Sequence, residues 1–482
     1  MLIRKTDTEM IRGYFEDSSG LSGGFAEEVV LPENEKDVSE FLEEASAKGN
    51  FVTVSGGGTG VTGGRVPFGG SVLAADRFNK IIDCFEGGII VQAGVPLDEI
   101  HRAADSIGYF YPPDATEQTA WIGGNIATNA SGARSFKYGS TRNYVKGLKV
   151  ALSNGEILDI CRNTVKASNR GLLSVGKKKT AIPNYEMPGV KNAAGYFSKP
   201  GMDLIDLFIG SEGTLGVILE AELELQKKIG PLFGCFAFFE DENRAFDFVA
   251  ELKKRASRGF DLLAIEYFDR HSLALLSKKY PNIPKSSTGM VFFEQEISPK
   301  IEDSYLEAWA EILDSSGVGE SNTWMADDAK KFQELKDFRH SLPELVNETV
   351  KSRGIPKIGT DMAVPAENFD TMLRYYREHL EQQQIDHLFF GHIGENHLHV
   401  NVLPRNAEEA KTTKELYLKF VKMAVSLGGT VSAEHGIGKL KHDFLKEMYG
   451  NDGIMEMARV KKELDPACIL GLGNIFPKEL LF

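Results

Sequence analysis

Apolar positions along this chain follow two periods, and each stretch of one period predicts an element. In "ENEKDVSEFLEEASAKG" the residues Val38, Phe41, Leu42 and Ala45 recur at helical spacing behind an acidic cap at Asn34 to Asp37, which predicts a helix between two strands. Pro96 suits the first turn of a second helix running to about Ile107. "VKGLKVALSNGEILDI" predicts a β-hairpin turning at Asn154-Gly155. Arg162 to Lys199 is basic and rich in Gly, Asn and Ser, an irregular excursion, and "DLIDLFIGSEGTLGVILEAELELQ" then predicts helix, glycine loop and strand. After about Lys228 the texture changes. Strands "GCFAFFED", "LLAIEYFDR" and "MVFFEQEI" alternate with helices "ENRAFDFVAELKKRA" and Ile301–Ser315, which predicts a separate α+β domain. "AENFDTMLRYYREHLEQQ" and a stretch around Glu415–Leu427 add helices, with a strand pair in "HLFFGHIGENHLHVNVLP" between them.

One short stretch breaks the simplest reading. In "VTVSGGGTGVTGG" the residues Gly58, Gly60 and Gly63 satisfy G-x-G-x-x-G. That fingerprint needs a helix after it, because the pyrophosphate sits on the helix N-terminus. Pro67, Gly69 and Gly70 forbid one here. The glycines cluster in three places in the N-terminal half, Gly56–Gly70, Gly123–Gly139 and Gly210–Gly216, so main chain is expected to approach a large ligand at several points.

Composition narrows the class. A chain of 482 residues exceeds one ordinary core, so two or three domains are expected. A net charge of −14 argues against nucleic acid or an anionic membrane as the main partner. Neither a signal peptide nor a transmembrane run of about 18 apolar residues is visible, so a cytoplasmic protein, at most peripheral to a membrane, is expected. Cys84, Cys161, Cys235 and Cys468 are scattered without C-x-x-C spacing, which argues against an iron–sulfur cluster or zinc knuckle.

The candidate chemistry lies in the C-terminal half. From His397 onward "HLHVN" alternates strictly, so His397, His399 and Asn401 share one strand face. The turn residues Gly394, Glu395 and Asn396 let His392 return beside His399. Three of ten histidines within eight residues favour metal ligation over ordinary hydrogen-bonded histidines. A strand "TVSA" would deliver Glu434 and His435 into a glycine turn, offering a carboxylate ligand and an imidazole base side by side. Arg339 can fork onto a carboxylate, and Lys357 can add a point charge.

Together these motifs resemble the vanillyl-alcohol-oxidase/PCMH-type flavoproteins, and within them the FAD-linked D-2-hydroxyacid dehydrogenases, over nearly the whole chain. "SGGGTGVTGG" is similar to the pyrophosphate loop, "PPDATEQTAWIGGNIATNASGARSFKYGSTRNYVKGL" and "FIGSEGTLGVI" to the second and third FAD segments. "GHIGENHLHVN", "SAEHGIGKLK" and "LDPACILGLGNIF" resemble the cap and C-terminal signatures. The resemblance implies an α+β fold: a PCMH-type FAD-binding domain of two α+β subdomains over 1–228, and an α/β substrate or cap domain with a mainly antiparallel sheet over 229–428. A C-terminal segment, 429–482, would close the active site against FAD. FAD contacts are implied at Gly57, Gly58, Thr59, Gly60, Thr62, Pro112, Asp114, Gly123, Gly124, Thr128, Asn129, Gly132, Gly213, Ile218 and Asn474. The loop has no histidine for a covalent link, so FAD is expected to be non-covalent.

The same resemblance assigns His392, His399 and Glu434 to a divalent metal, zinc or another transition metal, and His435 to base catalysis. Arg339, Lys357 and Asn401 fall at substrate positions, and His397 is unassigned. The family's dicarboxylate enzymes carry a threonine where this chain has Pro343, which points to a small substrate, D-lactate foremost. The implied reaction is metal-assisted oxidation of a D-2-hydroxyacid to the 2-oxo acid. Electrons would pass to an external acceptor such as a quinone, an electron-transfer flavoprotein or a cytochrome, and a homodimer is compatible with the sequence. A glycolate-oxidase-type flavin subunit, a D-2-hydroxyglutarate dehydrogenase and a metal-dependent hydrolase remain as alternatives.

Overall fold

The computed structural model describes residues 2–228, 230–257, 260–297 and 305–482. The chain divides into two compact units. One comprises Met1–Ser131, Ser140–Lys228 and Thr430–Phe482; the other comprises Gly132–Gly139 and Ile229–Gly429. Residues 132–139 therefore fold with the second unit although the sequence reading leaves them inside the first segment, and 430–482 fold with the first.

The first unit holds two main sheets. In the four-stranded one the order is Ile3–Lys5, Glu28–Leu31, Ser71–Ala74, Val52–Ser55, with the last three strands parallel. Helix Glu35–Lys48 connects two of these strands, capped by the Asn34 side chain accepting from the Asp37 N–H, and it buries Val38, Phe41, Leu42 and Ala45. That is the helix the apolar spacing predicts. The five-stranded sheet is antiparallel, in the order Ile81–Phe85, Gly88–Gln92, Val217–Glu224, Val145–Ala151, Ile157–Cys161. Along Val217–Glu224 buried and half-buried residues alternate without exception, as a sheet with one covered face requires. The expected irregular excursion contains a small hairpin of Leu172–Val175 with Lys178–Ala181.

The second unit is built on a seven-stranded sheet, antiparallel at every pairing, as the sequence reading expects. Its order is Thr323–Ala326, Leu232–Phe239, Gly289–Glu296, Leu262–Asp269, His387–Gly391, His399–Val402, Ile358–Gly359. Leu262–Asp269 and Gly289–Glu296 are buried at every position, so their acids need internal partners. Arg134 donates to Glu294 at 2.8 Å and Lys137 to Glu296 at 3.2 Å, which explains why 132–139 belong to this unit. Helix Ala329–Arg353 carries Pro343 in its interior and buries Phe332, Leu335, Phe338, Leu342 and Val346, residues of the unit's core. Of the helix expected at Ile301–Ser315, Tyr305–Ser315 is observed, and 301–304 lie outside the described residues. No described helix is long and apolar enough to cross a membrane.

Candidate active site

The glycine loop follows strand Val52–Ser55 as a turn, not a helix start, before strand Ser71–Ala74. Gly58 has φ +79°, and a Cβ there would lie 2.1 Å from Arg65 Nη1. That guanidinium donates to the carbonyls of Gly56 at 3.1 Å and Gly13 at 2.7 Å, so it is fixed, and no side chain fits. Gly56 approaches Gly124 of the second glycine segment, where a Cβ on Gly124 would meet nothing within 4 Å. Main chain at Gly124 thus borders open space, as a large ligand held by backbone requires. Gly123, Gly124 and Thr128 lie on helix Ile122–Thr128, and Asn129 caps it in the left-handed conformation at φ +52°. Pro112 and Asp114 precede that helix, Ile218 lies on strand Val217–Glu224, and Gly132 falls in the second unit.

The C-terminal stretch of this unit grips the loop. Lys439 Nζ donates to the carbonyls of Gly63 at 3.4 Å and Gly64 at 3.2 Å, and to Asn474 Oδ1 at 2.7 Å. Asn474 Nδ2 donates to the carbonyls of Gly64 and Glu212, both at 2.9 Å. Burial pulls the Lys439 ammonium down to about 8, against the raising charges of Glu212 and Asp17. Lys439 N–H donates to the Thr62 carbonyl at 2.9 Å; a Cβ at Gly438 would lie 2.1 Å from that same oxygen. Glu212 locks the turn beyond His435: its two oxygens accept from the N–H groups of Ile437 at 2.8 Å and Gly438 at 2.7 Å. Burial pushes this carboxyl up to about 7, although both N–H groups and the charges of Lys441 and Lys439 pull it down.

Glu434 and His435 lie in this unit too, but not at a strand end. Residues 431–435 form bends outside the strands, held where Ala193 N–H donates to the Ser432 carbonyl at 2.8 Å. The expected strand "TVSA" is therefore absent; alternation over four residues does not outweigh backbone bonds made to a loop. The Glu434 carboxylate is buried and pairs with Lys191, while Ser131 Oγ donates to its Oε1 at 3.2 Å.

In the second unit, strand His387–Gly391 pairs with His399–Val402, and the intervening turn brings three imidazoles together. Ring centroids of His392 and His399 are 5.4 Å apart, those of His397 and His399 4.6 Å, and one ring nitrogen from each lies within 4.8 Å of the others. His392 Nδ1 lies 2.9 Å from Glu266 Oε1, and Arg339 Nε is 2.8 Å from Glu266 Oε2. A buried carboxylate held by an arginine and facing an imidazole fixes the ring's orientation, the usual support for a metal-ligating histidine. His397 is wholly buried beside Asp361, 3.3 Å from it. Lys357 precedes edge strand Ile358–Gly359, whose Gly359 faces the buried Asn401, and burial lowers its ammonium. The donor set of nitrogen ligands with an oriented partner fits a transition metal or zinc.

Sequence reasoning missed Glu266, Glu212, Lys191 and Lys439. The apolar run around Glu266 in "LLAIEYFDR" is the one signal that marks it as a buried acid needing partners.

Comparison with known proteins finds two families. A family described as FAD binding domain matches residues 26–160, and one described as FAD linked oxidases, C-terminal domain, matches 235–475. Over 93% of this chain and 89% of its own length, a D-2-hydroxyglutarate dehydrogenase of Xanthomonas citri is 31% identical. A glycolate oxidase subunit GlcD of Bacillus subtilis is 29% identical over 94% of this chain and 89% of its own. A D-lactate dehydrogenase of Archaeoglobus fulgidus is 29% identical over 93% and 91%. The solved structure of an alkyldihydroxyacetonephosphate synthase superposes with a TM-score of 0.68 at 16% identity, covering 97% of this chain and 82% of that one, which establishes the PCMH-type fold. The chain belongs to the FAD-linked oxidases and is an FAD-dependent oxidoreductase.

Proposed function

We propose that this protein oxidises a small D-2-hydroxyacid, D-lactate foremost, to the 2-oxo acid and passes the electrons to an external acceptor. The carrying observation is the Glu266-oriented His392 beside His399, a pair that could hold a metal ion, within an FAD-linked oxidase. The relatives named for D-lactate, glycolate and D-2-hydroxyglutarate give the substrate class. FAD is held non-covalently by the loop Gly57 to Gly60 with Thr62, by the segments at Pro112, Asp114, Gly123, Gly124, Thr128, Asn129, Gly132, Gly213 and Ile218, and by Asn474. When bound, FAD supplies the acceptor for two electrons, and a divalent cation at His392, His399 and Glu434 supplies Lewis acidity.

The chain's own groups do the rest. With Nδ1 turned toward Glu266, Nε2 is the His392 atom that would hold a cation. Arg339, Lys357 and Asn401 orient the substrate carboxylate, and His435 takes the hydroxyl proton. Pro343, one helical turn beyond Arg339 on the same helix, has no side-chain donor for a second carboxylate. An unpaired buried carboxylate is costly, so D-lactate is favoured over D-2-hydroxyglutarate.

Stopped-flow flavin bleaching with D-lactate, glycolate, D-malate and D-2-hydroxyglutarate tests the reading. D-lactate should give the highest rate per concentration, and no bleaching by any of the four would refute the function. His435→Asn should keep metal and FAD but bleach about 10²–10⁴-fold more slowly. Glu434→Gln should lose metal and turnover together. Metal loss in His435→Asn would make His435 a ligand and move the base elsewhere.

A further inference from the structure

The basic excursion of residues 162–199 contains a lysine with an unusual partner. Lys191 Nζ pairs with Glu434 Oε1, and the two side chains are only 6% and 7% exposed. Neighbours hold the lysine there. Thr430 Oγ1 donates to Asn192 Oδ1 at 2.5 Å, and Ala193 N–H donates to the Ser432 carbonyl at 2.8 Å, so residues 191–193 run beside 430–434. Ser131 Oγ, at 3.2 Å from the same Oε1, is the neutral hydrogen-bond donor that a ligating carboxylate ordinarily has. The ammonium is not. It spends part of the one negative charge that Glu434 has to offer, and it repels any dication arriving at that carboxylate. The same charge attracts an organic anion bound at the same place.

We propose that Lys191 is a charge-balancing positioning residue for Glu434, weakening the hold on a divalent cation while strengthening the hold on the substrate carboxylate. This rests on the reading of Glu434 as a cation ligand. Removing the charge should move the two affinities in opposite directions, whereas loss of a merely structural ion pair would weaken both.

The test uses the FAD-loaded protein with Lys191→Met, Lys191→Gln and Lys191→Arg. Zinc affinity is measured by equilibrium dialysis with elemental analysis. KM is measured for whichever of the four hydroxyacids bleaches the flavin fastest. The methionine and glutamine variants should bind zinc about tenfold more tightly and show KM raised about tenfold, while the arginine variant stays near wild type on both. Glutamine retains a hydrogen bond to Glu434, so it reports on charge even where the methionine variant does not fold. Zinc affinity unchanged or lowered in the glutamine variant overturns the proposal. A wild-type protein that binds no zinc removes the ligand reading of Glu434 and this proposal with it, an outcome distinct from the first.

Discussion

Glu212→Gln gives a signed prediction that depends on one buried group. The wild-type carboxyl is held at about 7 against an ordinary 4.5, chiefly by burial. The folded protein therefore binds this proton more tightly than the unfolded chain does. Stability contributed by the group is fully present below pH 4.5, falls as pH rises, and is gone above about pH 7. The gap corresponds to roughly 3 kcal/mol. Glutamine does not ionise. At pH 5 its amide oxygen accepts from one of the N–H groups of Ile437 and Gly438 while its NH2 faces the other, so the variant should start below wild type. Between pH 5 and pH 8 the difference should move in the variant's favour by roughly 3 kcal/mol, read as a shift in relative melting temperature. Thermal melts of both proteins across pH 5–8, with FAD saturating, measure the difference and cancel every other titrating group. Parallel melting curves would show that burial does not oppose the charge on Glu212, and the argument would fall.

Three further outcomes are expected. Glu266→Gln should free His392 from its orienting charge and lower zinc retention about 10–100-fold while FAD stays bound, checked by elemental analysis beside flavin absorbance. Gly58→Ala should weaken FAD binding at least about tenfold, because it both strains a φ of +79° and displaces Arg65; a flavin titration of the apoprotein with unchanged affinity would contradict this. Acid precipitation should release all the yellow colour into the supernatant, and flavin left in the pellet would mean a covalent link.

The sequence made some of this legible because the decisive physics was local. Cap and spacing name helix Glu35–Lys48. The clustering of His392, His397 and His399 follows from a turn and a two-residue period. Helix Ala329–Arg353 did not declare itself, since Pro343 reads as a breaker. Across 25 residues, a buried stripe from Phe332 to Val346 outweighs one missing N–H. Glu266, Glu212 and Lys191 were invisible for another reason. Each is defined by partners far away in sequence, and a lone acid or lysine looks the same whether it faces water or a buried counter-charge.

The pairing of Val52 with Leu470 sets an order of events in synthesis. Val52 N–H donates to the Ile469 carbonyl and Gly471 N–H to the Val52 carbonyl, at 2.8 and 2.9 Å, and Lys439 and Asn474 grip the glycine loop from the same late stretch. A ribosome adding about 5–20 residues per second needs roughly 20–80 s to travel from the first of these residues to the last. Throughout that interval the second unit's long segment is emerging and can fold, while the first waits with its glycine loop unclamped. Nascent chains stalled before Lys439 should therefore capture no flavin, which makes cofactor loading a closing act of translation.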